Sequence, residues 1–161
     1  MKRPVPGLGI EQQPADVLLT MLAYGEARNQ SGKGLLAVVW VALNRAYGPA
    51  ATIPEAVVEN PTRLSGVILK PLQFSCFNAT DPNRGRLLEA YRNDPHAWAR
   101  CWGVVELALS GLTADPTRGA THYYTTDKPS WAEVWPPKWG QLEHGWHPTV
   151  VIGDHSFGRA A

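Results

Sequence analysis

One segment of the chain is apolar on every side, which places it in the interior of any fold the chain adopts. Residues 34–45 run Gly-Leu-Leu-Ala-Val-Val-Trp-Val-Ala-Leu-Asn-Arg, and only the last two of them are strongly polar. A helix that is hydrophobic all round is a buried helix. A buried strand is the alternative for a short apolar run, but about eleven residues favour the helix. We therefore predict a central core helix over residues 34–45.

The other segments predict a mostly helical chain with strands near its end. We expect helices over residues 14–28, 53–59, 87–91 and 95–112, an extended segment over 71–77, a strand before Tyr124 and a last strand from Thr149. Helices followed by two or three late strands indicate an α+β fold, mostly helical with a small β-sheet in the C-terminal half. Residues 1–13 are a Pro- and Gly-rich lead-in, and the length of residues 14–161 suits a single domain.

A carboxylate stands where the first predicted helix ends. Glu26 lies between Gly25 and Ala27 and before a glycine-rich turn at 30–34. Small neighbours let another segment approach closely, and a carboxyl group that is partly buried yet reachable is suited to acid–base chemistry. Glu26 is therefore a candidate catalytic acid, and the alternative is an ordinary surface Glu at a helix end.

Charge and hydropathy argue against two kinds of partner. Lys and Arg number 15 against 14 Asp and Glu, so the chain lacks the basic excess of a nucleic-acid-binding protein. No apolar run approaches the roughly 18 residues of a membrane span. The N-terminal residues lack the apolar region of a secretory signal, so we expect a monomer made in the cytoplasm.

Tryptophan and cysteine leave structural questions open. We expect most of the seven Trp to pack in the core, although Trp faces also suit sugar rings. Cys76 and Cys101 allow either one disulfide or two free thiols.

Five blocks of sequence occur in a familiar order. They are Tyr-Gly-Glu-Ala-Arg at 24–28, residues 34–45, Gln-Phe-Ser-Cys at 73–76, Gly-Ala-Thr-His-Tyr-Tyr at 119–124 and Gly-Asp-His-Ser-Phe at 153–157. In this order the blocks resemble the cell-wall hydrolase family of spore cortex-lytic enzymes. The resemblance spans roughly residues 16–158, nearly the whole chain.

The resemblance implies a lysozyme-like catalytic domain that cleaves the glycan strands of peptidoglycan without a cofactor or metal. It implies Glu26 as the catalytic acid and Thr121, in the Gly-Ala-Thr block, as a second functional residue near it. A compact catalytic domain without an export signal is similar to a bacteriophage endolysin. Such an enzyme is expected to reach the cell wall once the membrane is permeabilised.

A single acid suits a lytic transglycosylase, which needs no second carboxylate to activate water. Hydrolysis by a true muramidase is the alternative, and it normally uses two carboxyl groups. Asp115 and Asp154 are the nearest candidates for the second, although both also suit ordinary turns.

Five further residues are candidates for substrate binding. Gln73 and Ser75 share one side of the extended segment, and the alternative for both is a structural hydrogen bond to Glu26. Tyr123 and Tyr124 alternate along a strand, so one is expected to face the cleft and the other the core. His155 lies in the last block and completes the set.

Two other functions remain possible from the residues alone. His144 and His147 are three residues apart, and with His122 and His155 they suggest the zinc site of an N-acetylmuramoyl-L-alanine amidase. A non-catalytic wall-binding module is the other possibility, because four late Trp could line a sugar platform: Trp131, Trp135, Trp139 and Trp146.

Overall fold

The computed structural model describes all 161 residues and contains six α-helices and one three-stranded antiparallel sheet. The helices are α1 (Ala15–Ala27), α2 (Gly32–Tyr47), α3 (Ile53–Glu59), α4 (Pro61–Leu69), α5 (Ala90–Asn93) and α6 (Pro95–Leu109), and the strands are β1 (His122–Thr125), β2 (His147–Ile152) and β3 (His155–Arg159). This confirms a mostly helical α+β fold with a small sheet in the C-terminal half. None of the helices combines the length and apolar character needed to cross a membrane.

Helix α2 is the centre of the core, as its sequence predicts. The Ser31 hydroxyl caps it by accepting a hydrogen bond from the Gly34 N–H at 3.2 Å. Its residues from Ala37 to Asn44 are all buried, and the helix packs against α1, α4 and α6. Such burial on all sides explains why the segment carries no polar face.

Local structure differs from the predictions in three places, each for a physical reason. Helix α4 was not predicted, but Leu64 and Ile68 are one turn apart and fully buried, which gives this short helix its core face. Residues 71–77 do not form one extended segment, because Leu72 has a positive φ of 64° that reverses the chain, and Ser75–Phe77 then forms a 3₁₀ turn. The single last strand predicted from Thr149 is instead two strands, β2 and β3, because Gly153 and Asp154 form a tight turn between them.

Strand β3 is the central strand of the sheet and pairs with both β1 and β2. The turn between β2 and β3 is only Gly153 and Asp154, and Gly153 has a φ of 56°. In the β1–β3 pair, Tyr123 lies opposite Phe157, which is fully buried in the core. The buried Phe157 therefore anchors the sheet and fixes the position of Tyr123.

The N-terminal lead-in packs on the same core. Ile10 is buried, and the buried Gln13 side chain bonds to the backbone of Val5 and Leu8. Cys76 and Cys101 are both buried and free, so the pairing left open by the sequence is settled as two thiols.

Candidate active site

A cleft of about 1130 Å³ lies between the end of α1 and the sheet. Its lining includes Glu26 from α1, Arg45 from α2, Gln73 and Ser75 from the turn after α4, Tyr123 and Tyr124 from β1, and His155 from β3. Elements far apart in sequence thus contribute polar side chains to one open space. This cleft contains Glu26 and five of the six other residues predicted for the site.

Glu26 reaches the cleft because Gly25 lets the turn Ser75–Phe77 pack directly on α1. A Cβ atom at Gly25 would lie 2.6 Å from the Cβ of Cys76 and 2.7 Å from its Sγ, which is closer than non-bonded atoms can approach. The sequence-based prediction that small residues beside Glu26 permit close approach is confirmed for Gly25. Without this contact the backbone of Cys76 would not reach the carboxylate.

The Glu26 carboxylate is half-buried and accepts three hydrogen bonds. Its Oε1 accepts from the Ser75 hydroxyl at 3.1 Å and from the Cys76 backbone N–H at 3.0 Å. Its Oε2 accepts from the Tyr123 hydroxyl at 2.9 Å. The two oxygens therefore differ, because a backbone N–H can only donate whereas a phenol can both donate and accept.

Tyr123 is held against Glu26 by its aromatic neighbours. Its ring lies 5.0 Å from the His155 ring in an edge-on arrangement and 5.5 Å from that of Phe157. Burial, and then the nearby Glu26 charge, raise the pKa of Tyr123 well above its ordinary value. The phenol therefore keeps its proton near neutral pH and donates it to Oε2.

His155 is buried and neutral. Burial lowers the pKa of its imidazole, although the charges of Glu26 and Asp154 oppose this effect. Its Nδ1 is buried without a hydrogen-bond partner. The ring thus supports Tyr123 by packing and still lines the cleft.

Arg45 lies at the base of the cleft and contacts two of the predicted site residues. Its Nε donates to the Thr121 carbonyl oxygen, and its Nη1 donates to the Gln73 Oε1 at 3.2 Å. Its guanidinium carbon lies 4.8 Å from the centre of the Phe74 ring. Arg45 is not among the residues predicted for the site, although a charged residue at the end of an all-apolar helix is a signal for such a role.

Two of the predicted residues have different surroundings from those expected. Thr121 does not line the cleft, because its hydroxyl pairs with the His122 Nδ1 at 3.0 Å; its role near the acid stays a prediction. Tyr123 and Tyr124 both line the cleft, and Tyr123 also packs against the hydrophobic core. The expectation that one of the two faces the core is therefore confirmed for Tyr123, although this residue lines the cleft as well. Tyr124 also lines the cleft because β1 is an edge strand and the Trp-rich segment after it extends the cleft along the side of Tyr124.

An aromatic wall extends the cleft beyond Tyr124. We define it by Trp131, Trp135 and Trp139, which all line the cleft. The Trp135 ring lies 5.8 Å from Tyr124 and 6.1 Å from Trp131, and Trp131 is 79% exposed. Only three of the seven Trp are buried, namely Trp40, Trp98 and Trp146, so the expectation that most pack in the core is wrong.

The two candidates for a second carboxylate have different positions. Asp115 lies outside the cleft and accepts from Asn44 Nδ2 at 2.8 Å and from the backbone N–H groups of Thr117 and Gly119 at 2.7 and 2.8 Å. These bonds show that Asp115 stabilises the turn that contains Thr117 and Gly119, as its alternative interpretation predicts. Asp154 lines the cleft, where its Oδ2 accepts from Gln30 Nε2 at 3.1 Å.

No three His, Cys, Asp or Glu side chains come together in an arrangement that could hold a metal ion. His144 and His147 lie outside the cleft, whereas His122 and His155 line it. Burial, and then the Arg45 charge, lower the pKa of His122 to about 4. The histidines noted in the sequence are therefore not gathered into one ligand set.

Comparisons with known proteins agree with this architecture. A family model described as Cell Wall Hydrolase matches residues 29–158, a range that begins just after Glu26. The chain is 35% identical over 118 residues to a spore cortex-lytic enzyme of Halalkalibacterium halodurans; the alignment covers 73% of this chain and 29% of that protein. The chain thus spans less than a third of the length of this curated relative.

Two solved structures have a similar fold. The catalytic domain of the Bacillus cereus SleB protein is 23% identical with a TM-score of 0.58, and the match covers 98% of both chains. The catalytic domain of the germination-specific lytic transglycosylase SleB from Bacillus anthracis is 25% identical with a TM-score of 0.58, covering 96% of this chain and 98% of that one.

Proposed function

The chain belongs to the cell wall hydrolase family, and from this premise we propose that it cleaves the glycan strand of peptidoglycan as a lytic transglycosylase. The bond broken joins N-acetylmuramic acid to N-acetylglucosamine. Glu26 acts first as the acid and then as the base. The similar SleB domain of Bacillus anthracis is a germination-specific lytic transglycosylase, which supports this reaction type.

The observation that carries the proposal is the environment of Glu26. Among the acids that line the cleft, Glu26 receives hydrogen bonds from three separate groups, whereas Asp127 and Asp154 are exposed. A carboxyl group that must exchange a proton with a substrate needs a fixed position and access to the cleft. Glu26 has both.

The contacts indicate which oxygen carries the proton. Oε1 faces the backbone N–H of Cys76, which cannot accept, so a proton on that oxygen would leave two hydrogens facing each other. Oε2 faces the Tyr123 hydroxyl, which can turn and accept. The acid form of Glu26 therefore carries its proton on Oε2, and this proton passes to the glycosidic oxygen as its bond to C1 of the muramic acid breaks.

The second step returns the proton and closes a ring. After the first transfer Glu26 is a carboxylate, with Ser75 and Cys76 still donating to Oε1. Oε2 takes the proton from the C6 hydroxyl of the muramic acid, and O6 forms a bond to C1. The product is a 1,6-anhydro sugar, and Glu26 is protonated again without any water entering the reaction. The nucleophile is part of the substrate, which gives it the advantage of an intramolecular reaction.

The aromatic wall supports a sugar polymer as the substrate. Trp131, Trp135 and Trp139 present large, flat and partly exposed faces beside the acid. Such residues provide contact area to the apolar faces of sugar rings. The Trp135 N–H donates to the Thr125 carbonyl oxygen at 2.8 Å, which fixes the orientation of that ring. The cleft volume also exceeds the roughly 300–1,000 Å³ typical of small-molecule sites, which favours several sugar units over one.

Mass spectrometry of digested peptidoglycan tests the reaction type. We expect fragments that end in 1,6-anhydro-muramic acid and are lighter by one water than hydrolysis products. A reducing-end muramic acid as the main product would instead support a muramidase. The position of Asp154 in the same cleft keeps that second candidate open. If the chain is a muramidase, Asp154→Asn should lose activity. If it is a transglycosylase, the same variant should remain active.

The role as a bacteriophage endolysin stays a prediction with its own test. We expect the chain to be tolerated when expressed in a bacterial cytoplasm and to lyse the cells once the inner membrane is permeabilised. Lysis without permeabilisation would contradict this role.

A further inference from the structure

Arg45 is a half-buried cation without a carboxylate partner within salt-bridge distance. The ion pairs of the chain are Lys2–Asp16, Arg84–Glu11 and Arg92–Glu89. Partly burying a guanidinium group costs free energy unless its charge and N–H groups find partners. Its location therefore needs an explanation beyond a simple surface charge.

The two hydrogen bonds of Arg45 reach both segments that donate to Glu26. Nε donates to the carbonyl oxygen of Thr121, which immediately precedes β1 and lies two residues before Tyr123. Nη1 holds the side chain of Gln73, two residues before Ser75 in the turn. The planar guanidinium can hold two acceptors in fixed directions at once, which an ammonium group cannot do. Arg45 thus connects the segment that carries Tyr123 to the segment that carries Ser75.

Arg45 is also the positive charge that faces Glu26. Burial lowers the pKa of Arg45, and the Glu26 charge opposes this effect, so the two groups lie within electrostatic reach. The other titratable groups around the acid are His122 on β1, His155 on β3 and Cys76, whose pKa values are shifted toward the neutral form, and Asp154 at the hairpin. Lys128 and Asp127 also line the cleft, and the Lys128 Nζ donates to the Glu133 carbonyl oxygen at 3.1 Å.

We infer that Arg45 is a positioning residue for Glu26: it holds the Tyr123 and Ser75 segments against the carboxylate, and its charge favours the carboxylate that forms when the proton leaves. This inference rests on the proposed role of Glu26 as the acid. It also explains why Thr121 and Gln73 contact Arg45. Both residues transmit the position of Arg45 to their neighbours in sequence.

Substitutions at Arg45 separate geometry from charge. Arg45→Lys keeps the charge but cannot bond both acceptors, so we expect turnover to fall about tenfold with little change in KM. Arg45→Met removes both functions, and we expect a fall of about a hundredfold, as for a misplaced catalytic group. In Arg45→Met the alkaline limb of the pH–rate profile should move to higher pH, because the acid releases its proton less readily. In Arg45→Lys that limb should stay in place.

Arg92 offers a matched control. It is exposed on α5, outside the cleft, and stacks over Tyr91 at 5.1 Å much as Arg45 stacks over Phe74. Arg92→Lys and Arg92→Met should leave turnover and the pH profile unchanged. A loss in these variants equal to that at Arg45 would overturn the inference.

A double-mutant cycle tests whether Arg45 acts through Tyr123. If it does, adding Tyr123→Phe to Arg45→Met should cost less than the same change costs alone, because the contact is already displaced. Additive losses with an unshifted pH profile would overturn the inference, as would full turnover in Arg45→Met. If Arg45→Met does not fold, the same cycle with Arg45→Lys decides.

The experiment distinguishes failure of this inference from failure of the proposed function. The unmodified chain is first assayed for glycan products. If it releases none, the proposed reaction is wrong, and the inference falls with it. If it releases them and Arg45→Met does too at the normal rate, only the inference is wrong.

Discussion

Replacing Glu26 with Gln should abolish catalysis and keep the fold. The Gln carbonyl oxygen can take the place of Oε1 and accept from Ser75 and the Cys76 N–H, while its amide nitrogen faces the Tyr123 hydroxyl. That hydroxyl only has to rotate to accept instead of donating. No backbone group loses its partner, so the structure contains no reason for the site to collapse.

The contacts also give the size of the two effects. Hydrogen bonds to charged groups contribute about 1.5–3 kcal/mol and neutral ones about 0.5–1.5 kcal/mol, but the partly buried amide costs less to desolvate than the carboxylate. The free energy of unfolding should therefore change by less than about 2 kcal/mol. General acid–base catalysis contributes about 10²–10⁴-fold, and the proposed mechanism uses Glu26 in both steps. We expect turnover to fall about 10³-fold, which corresponds to about 4 kcal/mol in activation free energy.

Clearance of a purified peptidoglycan suspension measures the loss, and thermal unfolding checks the fold. Glu106→Gln is the matched control, since Glu106 is exposed on α6 and outside the cleft. It should clear the suspension at the normal rate. If folded Glu26→Gln retained more than about a tenth of the normal rate, the loss would fall below the range for general acid–base catalysis and Glu26 would not be the acid.

Four further predictions follow from the same geometry. Tyr123→Phe removes one hydrogen bond to a carboxylate and should lower turnover on purified glycan about 10- to 100-fold with the fold retained, and a normal rate would show that the bond is dispensable. Trp131→Ala removes an exposed face of the aromatic wall and should raise KM for long glycans about 2- to 10-fold with turnover kept, so an unchanged KM would count against this wall as a sugar surface. EDTA should leave clearance unchanged, since no three potential ligands are grouped, and a loss restored by zinc would support the amidase instead. Burial lowers the pKa of His122 from 6.5 to about 4, so the unfolded chain binds this proton more readily than the folded one. The free energy of unfolding should therefore fall as the pH decreases from 6.5 toward 4. In His122→Gln, calorimetry should show a melting temperature that varies less with pH over this window.

The parts of the fold that follow local rules were predictable from the sequence. The buried helix α2 and the position of Glu26 beside Gly25 depend on residue periodicity and on side-chain size, which are properties of a short segment. The same holds for the final element of the helical half, where Pro95 begins α6 and Gly111, with a φ of 73°, follows its end. In each case neighbours in sequence determine the outcome.

The parts that depend on contacts between distant segments were not predictable in this way. Alternation along β1 suggests opposite environments for Tyr123 and Tyr124, but the Trp-rich segment after the strand extends the cleft along the outer side of Tyr124. The extended segment predicted at 71–77 fails because Leu72 adopts a positive φ, a conformation that its residue type does not indicate. In both cases the contacts of a candidate site residue depend on structure that its own segment of sequence does not indicate.

The hairpin β2–β3 helps to explain how Glu26 keeps a fixed position in so open a cleft. Phe157 is buried and lies opposite Tyr123, and the neighbouring His155 ring packs against the same tyrosine ring. The strand thus fixes Tyr123 from the C-terminal half, and Gly25 admits Cys76 to Glu26 from the helical half. The carboxylate therefore has one oxygen bound to the helical half and the other facing the sheet. A change that alters the packing of these two halves should affect Oε1 and Oε2 unequally, which would disturb proton transfer before it unfolds the protein.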